Sequence, residues 1–207
     1  MSSTLPRIRR WHFKRNISTV DLPAGLAIFA STVALMSISF ASSRLSHPLD
    51  GQNGMAFTIT SPSFSNGADI PKKFTCAGPD VSPQLSWTEP PPATKSFALL
   101  VDDPDAPAGN WNHWTLWNLP PTSRGLEENV SKEARLPDGT QQGVNDFHKT
   151  GYNGPCPPAG KPHRYYFKLF ALDAKLELKP GSGKPEVESA MKGHITAQAE
   201  WMGTYKR

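Results

Sequence analysis

The sequence predicts a mostly β domain with one helix near its C-terminal end. From residue 57 onward, short β-type runs are separated by Pro, Gly, Asn and Asp, which favour turns. Proline makes up 21 of the 207 residues, about twice its usual share. Since proline interrupts helices, this abundance favours long ordered loops. Only the stretch after Pro185 carries apolar residues at the spacing of an amphipathic helix.

Six runs are predicted to be strands, and most are half apolar, as expected where one face of a sheet is covered. They are residues 57–61, 73–76, 85–87, 97–101, 114–119 and 165–172. Residues 123–149 are polar and are predicted to form an irregular excursion with room for one short strand. The helix is predicted over residues 185–202, because Pro185 suits a first helical turn and Gly203 would end it.

The first 41 residues predict an export leader that precedes the domain. They contain the whole net charge of +4, because acidic and basic residues balance over the rest of the chain. The basic cluster is followed by the uncharged apolar run 22–41, and Ser39-Phe40-Ala41 offers small residues for signal peptidase. The same run is also long enough to anchor the chain in a bilayer. Both alternatives place the rest of the chain outside the cytoplasmic membrane, in the periplasm or secreted.

Residues 42–55 are predicted to be a polar linker, and residues 56–207 are predicted to form one domain. This domain has no excess of basic residues, so it lacks the basic track by which proteins follow nucleic acid. Its two cysteines, Cys76 and Cys156, permit one disulfide in an oxidising compartment, and two buried thiols are the alternative. The sequence has neither a Cys-x-x-Cys redox motif nor a four-ligand zinc pattern.

A proline-stiffened loop between two predicted strands carries the first group of polar candidates. Asp102, Asp103 and Asp105 follow an apolar run, and His113 opens the next one. Aspartate and proline also build ordinary turns, so this loop alone does not define a site.

A second loop, residues 151–167, resembles the first in its proline content and in the histidine that precedes the next strand. It is rich in proline and glycine, and it ends in His163-Arg164-Tyr165 before a predicted strand. Alternation along that strand puts His163 and Tyr165 on the same face. If the two strands are neighbours in a sheet, both loops open onto one cavity.

The two loops belong to a larger set of motifs that occur in order over residues 57–207. The motifs are Thr75-Cys-Ala-Gly-Pro-Asp-Val-Ser-Pro-Gln-Leu-Ser-Trp87, Asp103-Pro-Asp-Ala-Pro107, His113-Trp114, Gly143-Val-Asn-Asp146, Gly154-Pro-Cys-Pro-Pro158, His163-Arg-Tyr165 and Gly203-Thr-Tyr-Lys-Arg207. Together they resemble the phosphatidylethanolamine-binding protein family, and more closely its bacterial Raf-kinase-inhibitor-like branch.

The resemblance implies a β-sandwich with a large central antiparallel sheet, a smaller second sheet, a C-terminal helix and few other helices. It also implies a pocket for phosphate-type anions and phosphorylated head groups. By position, the ligand-binding residues would be Asp103, Asp105, His113, His163 and Tyr165, and the pocket loops would include Pro107, Gly154, Pro155 and Pro157. The family often has a cis peptide in the acidic loop, which points to Ala106–Pro107.

The residue types themselves suit an anion. The imidazoles of His113 and His163 and the hydroxyl of Tyr165 are donors. A carboxylate that faced the anion would repel it, so Asp103 and Asp105 are expected to accept N–H groups from the histidines and to favour their charged form. Anion affinity should therefore rise as the pH falls through the range in which histidines titrate.

Three other functions would use the same residues. Two histidines and a carboxylate can hold a metal, but no metal-ligand spacing is present, and no cofactor is expected. A hydrolase would need a nucleophile, and neither a Gly-x-Ser-x-Gly elbow nor another evident nucleophile occurs. An inhibitor of a protease or kinase would use the pocket rim, where an exposed Trp111 would favour partner contact. We therefore predict a non-enzymatic binding protein, with the inhibitor as the alternative.

Overall fold

The computed structural model describes residues 56–179 and 181–207, and it confirms the predicted mostly β fold. The elements of this part of the chain are β1 (Ile59–Thr60), a 3-10 helix (Lys72–Phe74), β2 (Leu85–Trp87), β3 (Ser96–Asp103), β4 (Trp111–Leu119), β5 (Gly125–Leu126), β6 (Gln141–Gln142), β7 (His163–Leu172), α1 (Lys184–Met191) and β8 (Ile195–Tyr205). Neither of these two helices is long and apolar enough to cross a membrane. The predicted leader and linker, residues 1–55, lie outside the described residues.

Two antiparallel sheets face each other across the main core. The larger has the order β6-β4-β3-β7-β8, and the smaller has the order β1-β2-β5. The central strand β3 is buried at every position, because it has a covered face on both sides. Its residues Phe97, Leu99 and Val101 belong to the core between the sheets, whereas Ala98 and Leu100 pack in the cluster that includes α1.

The predicted strand at residues 73–76 is wrong, since this segment begins in the 3-10 helix. The backbone N–H of Phe74 donates to the Pro71 carbonyl at 2.9 Å, and that of Thr75 donates to Lys72 at 3.1 Å. Only Phe74 in this helix is buried. The segment therefore contributes one apolar side chain to the core and does not have the alternating burial of a strand.

The predicted helix over 185–202 is correct only in its first half. Val187 and Met191 are the buried residues of α1, and Gly193, with φ of 83°, then reverses the chain. The remaining residues form β8, where Ala197 and Ala199 pack against the main core with a period of two. Pairing with the whole of β7 therefore overrides the local helical spacing.

Candidate functional site

The two polar loops meet at one end of the larger sheet. Strand β3 lies between β4 and β7 and runs antiparallel to both, so the C-terminal end of β3 lies beside the starts of its two neighbours. A cavity of about 230 Å³ opens there, and its walls are Asp103, Ala106, Pro107, Ala108, Trp111, His113, Phe147, Cys156, Pro157, Pro158 and His163. Three of these side chains, Asp103, His113 and His163, are polar.

His163 is paired with Asp103 in the wall of this cavity. The distance from His163 Nδ1 to Asp103 Oδ2 is 2.7 Å, and the side chains are only 10% and 4% exposed. A carboxylate accepts, so Nδ1 carries the proton and Nε2 remains for a ligand. The other oxygen of Asp103 accepts the backbone N–H of Asp105 at 2.9 Å. Asp103 therefore positions His163 and has a donor on each of its oxygens.

Unlike His163, His113 bonds to a backbone carbonyl and not to a carboxylate. Its Nδ1 lies 2.7 Å from the Asn153 carbonyl, which can only accept, so this nitrogen also carries a proton. Burial is the main cause that lowers the pKa of His113, against the raising effect of the Asn153 carbonyl. The ring is therefore neutral at neutral pH, and its Nε2 offers a lone pair. One cavity thus holds a neutral imidazole and a second imidazole that is bonded to a carboxylate.

A buried amide network fixes the loop that orients His113. Asn145 Nδ2 donates to the carbonyls of His113 and Gly151, at 3.3 Å and 2.9 Å, and to Asn153 Oδ1 at 2.9 Å. The Asp80 carboxylate receives the Gly154 N–H at 2.7 Å and Asn153 Nδ2 at 3.3 Å. These bonds hold the Asn153 carbonyl in place, so they fix the tautomer of His113.

Asp105 does not accept from a histidine and does not line the cavity. Its carboxylate takes a bidentate pair of bonds from Arg164, with Nε at 2.8 Å from Oδ2 and Nη2 at 2.7 Å from Oδ1. Strand alternation turns Arg164 away from His163 and toward the exposed side, where Asp105 meets it. The hydrogen bond from Arg164 is the largest cause that lowers the pKa of Asp105 to about 2. The Asp105–Arg164 pair borders a separate shallow hollow with Lys161 and His163.

Tyr165 lies beneath the cavity rather than in its wall. As expected, it shares a face of β7 with His163, but it is fully buried. Its ring meets that of His113 edge to face, with centroids 5.2 Å apart. Its hydroxyl is buried without a hydrogen-bond partner among the described residues. Burial, followed by the charge of Asp103, raises the pKa of Tyr165 well above its ordinary value. Tyr165 therefore packs against the ring of His113 from beneath the cavity.

Two of the four predicted pocket-loop residues, Pro107 and Pro157, line the cavity. The Ala106–Pro107 peptide is trans, because the described residues contain no cis peptide bond, so the expected cis peptide is wrong. The Gly109 N–H donates to the Ala106 carbonyl at 2.9 Å, which puts Pro107 at the second position of a β-turn, where trans proline is favoured.

The other two, Gly154 and Pro155, do not line the cavity but hold its loop against the segment that contains Phe74 and Cys76. A Cβ added to Gly154 would lie 2.0 Å from the Phe74 carbonyl oxygen, and the Pro155 carbonyl accepts the Cys76 N–H at 3.1 Å. The loop is also tied by a disulfide between Cys76 and Cys156, whose Cα atoms are 5.4 Å apart. Cys156 lines the cavity, so this bond forms part of its wall.

Replacing Gly154 by alanine is expected to destabilise the domain by roughly 3 kcal/mol, because backbone atoms cannot move aside as a flexible side chain would. Urea unfolding would measure the loss. Ala159→Ser in the same loop is the control, since this position is exposed and the change keeps a Cβ. Equal stability of Gly154→Ala and the unmodified protein would contradict the close packing of this loop.

Sequence reasoning missed the aromatic side of the cavity. Phe147 lies edge to face with Trp111 and His113, with ring centroids 5.5 Å and 5.2 Å apart. Phe147 comes from the polar excursion, where a single apolar residue gives no periodic signal. Its position two residues after Asn145 was the available clue, because that asparagine belongs to one of the family-like motifs. Among the described residues, no group of three His, Cys, Asp or Glu side chains is arranged to hold a metal ion.

Known proteins similar to this chain share one family. Residues 60–206 match the family described as phosphatidylethanolamine-binding protein. A relative from Methanothermobacter thermautotrophicus, named UPF0098 protein, is 51% identical over 144 residues, which cover 70% of this chain and 95% of the relative. A UPF0098 protein from Aquifex aeolicus is 47% identical over 156 residues, which cover 74% of this chain and 91% of that protein.

Two solved structures resemble the described domain. One is described as a homologue of phosphatidylethanolamine-binding protein, CT736, from Chlamydia trachomatis, with a TM-score of 0.67 and 42% identity over 73% of this chain and 98% of that chain. The other is E. coli YbcL, described as a new member of the mammalian PEBP family, with a TM-score of 0.69 and 37% identity over the same shares of the two chains. Both similarities indicate that this chain shares the overall fold of these two proteins.

Proposed function

Because the chain belongs to the phosphatidylethanolamine-binding protein family, we propose that it is a non-enzymatic binding protein whose cavity holds a phosphate-bearing small molecule or a phospholipid head group. The observation that carries the proposal is the His163–Asp103 pair. It leaves one imidazole nitrogen for a ligand at the end of the sheet. When His163 is protonated, this nitrogen becomes a charge-assisted donor to a phosphate oxygen.

The electrostatics of the cavity fit this ligand class. A bare carboxylate would repel a phosphate, but each oxygen of Asp103 already has a donor. The neutral His113 adds no charge and offers a lone pair, which can accept a hydrogen bond from a phosphate hydroxyl or an ammonium group. The site therefore suits a ligand that carries both a phosphoryl oxygen and a donor.

The size of the cavity favours a head group over a whole lipid. Pockets for drug-sized ligands measure roughly 300–1,000 Å³, and this cavity measures about 230 Å³. Among the described residues, the cavity lining includes no serine, threonine or free thiol that could serve as a nucleophile, which supports binding rather than hydrolysis.

We further propose that the domain works outside the cytoplasmic membrane, released or anchored by residues 22–41. The Cys76–Cys156 disulfide supports this location, because such bonds persist in oxidising compartments and are rare in the cytosol.

The inhibitor role remains a second proposal, and it rests on Trp111. This residue lines the cavity and is partly exposed, as an anchor for a protein partner at the rim would be. Trp111→Ala should then weaken binding to a protease or kinase partner while leaving phosphate binding within about 2-fold. Loss of phosphate binding alone would assign Trp111 to the small-molecule site.

Ligand affinity is expected to rise as the pH falls from 8 to 5, the range in which histidines titrate. A charged imidazole donates to a phosphate oxygen more strongly than a neutral one, so binding should be strongest at the acid end of this range. Burial lowers the pKa of His113, so that ring gains its charge only at a lower pH than an ordinary histidine. Calorimetry with glycerophosphoethanolamine measures the trend, since a phosphodiester keeps its charge throughout. Affinity that is independent of pH would contradict the role of His163.

A further inference from the structure

The cavity walls lack a permanent positive charge. Among the described residues that line the cavity, Asp103 is acidic, and the imidazoles of His113 and His163 are charged only when they bind a proton. A phosphate monoester carries a charge of about −1.5 to −2 at pH 7. A site for such a group therefore needs a cation from a residue beside the cavity.

The residues that follow β8 pass beside this cavity. Tyr205 is paired with His163 in the register of β7 and β8, and its side chain packs against the main core. Alternation places Arg207 on the same side as Tyr205, and it places Lys206 on the opposite side. In agreement with this, Arg207 Nη1 lies 4.0 Å from the Sγ atom of Cys156, which is part of the cavity wall.

The guanidinium of Arg207 has donors to spare. Within residues 56–179 and 181–207, its hydrogen bonding is limited to the contact with the Cys156 sulfur, and it forms no ion pair with a carboxylate. Sulfur is a weak acceptor, whereas a guanidinium has five N–H donors. The side chain is also exposed. Arg207 therefore keeps nearly all of its donors, and its charge, for another partner.

The neighbouring cations are less suited to the cavity. Arg164 gives a bidentate pair of bonds to the Asp105 carboxylate, so its charge is already compensated. Lys161 lines the separate shallow hollow. Lys206 points to the side of the sheet away from the cavity. Arg207 is therefore best placed to supply the missing charge.

We propose that Arg207 is a ligand-binding residue, and that its guanidinium holds a phosphoryl oxygen at the mouth of the cavity, beside the oxygen bound by His163. This inference rests on the proposed function and adds to it the cation of the site. A guanidinium keeps its charge across the physiological pH range, and its planar fork matches two phosphate oxygens. The ligand class is thus a phosphate ester with at least two free oxygens, which a free monoester and the diester of a lipid head group both provide.

Substitution of Arg207 tests this contact. Calorimetry on the full chain at pH 8 is suited to it, because an ordinary histidine is neutral there and the arginine keeps its charge. Arg207→Gln should weaken binding of phosphoethanolamine by at least ~5-fold. Arg207→Lys should recover part of the loss, because it restores the charge without the fork.

Glycerophosphoethanolamine is the second probe, and Arg207→Gln should weaken its binding as well. A larger loss for phosphoethanolamine would identify a free monoester as the source of the phosphate. Equal losses would point to the diester of a lipid head group, since both probes then offer the same two oxygens. Either result supports the contact.

Lys206→Gln is the matched control, because it removes the same charge from the neighbouring exposed position. It should leave affinity for both probes within about 2-fold. Equal binding by Arg207→Gln and Lys206→Gln would overturn the inference and leave the proposed function standing. If the unmodified protein bound neither ester, the proposed function and this inference would both fail.

Discussion

Replacing His163 by alanine is expected to weaken binding of phosphoethanolamine by roughly 10- to 100-fold, the value of a charge-assisted hydrogen bond in a buried site. The variant removes the cavity imidazole that is bonded to a carboxylate, and it leaves Asp103 with one oxygen unpaired. Titration calorimetry at pH 6 would measure the change.

The chain supplies a matched control for this variant. His194 also pairs with an aspartate, with 2.8 Å between its Nδ1 and Asp173 Oδ1, but its side chain is 46% exposed, and it does not line the cavity. His194→Ala should leave affinity within about 2-fold, since an exposed pair contributes little. Equal binding by His163→Ala and His194→Ala would remove His163 from the site.

Removing the disulfide by Cys76→Ala with Cys156→Ala is expected to cost about 4–5 kcal/mol of unfolding free energy. The bond joins positions 80 residues apart, and the chain-entropy cost of an open loop grows with its length. Domains of this size are stable by only about 5–15 kcal/mol, so the loss would be a large fraction of the total. Urea unfolding of the double variant would measure it.

The same variant should weaken ligand binding, because Cys156 is part of the cavity wall and its loop also carries Pro157. Unmodified protein treated with a thiol reductant should behave like the double variant in both measurements. A loss of less than about 1 kcal/mol would show that the hydrogen bonds of Asp80 and Asn145 hold this loop without the disulfide.

The convergence of the two histidine loops was predictable because the pattern of the strands around them was strong. Residues 97–101, 114–119 and 165–172 are apolar enough to be read as strands, and antiparallel neighbours bring their ends together. Alternation then separated His163 from Arg164 correctly. The family-like motifs supplied the identity of the domain, which the matches to known proteins confirm.

The choice of partner for each carboxylate was not predictable. Asp103 and Asp105 are two residues apart in a loop, where no regular alternation applies, so one bonds to a histidine and the other to Arg164. The last strand was hidden for a different reason. Residues 194–202 carry apolar side chains that fit either period, and only the pairing of β8 with β7 decides between helix and strand.

A crystal structure of the protein with bound phosphoethanolamine would test the central claim most directly. We predict a phosphate oxygen within hydrogen-bond distance of His163 Nε2, with the Asp103 carboxylate still bonded to Nδ1 of the same ring. Phosphoethanolamine bound away from both imidazoles, or a cavity that stays free of it at a concentration that saturates binding in solution, would contradict the assignment.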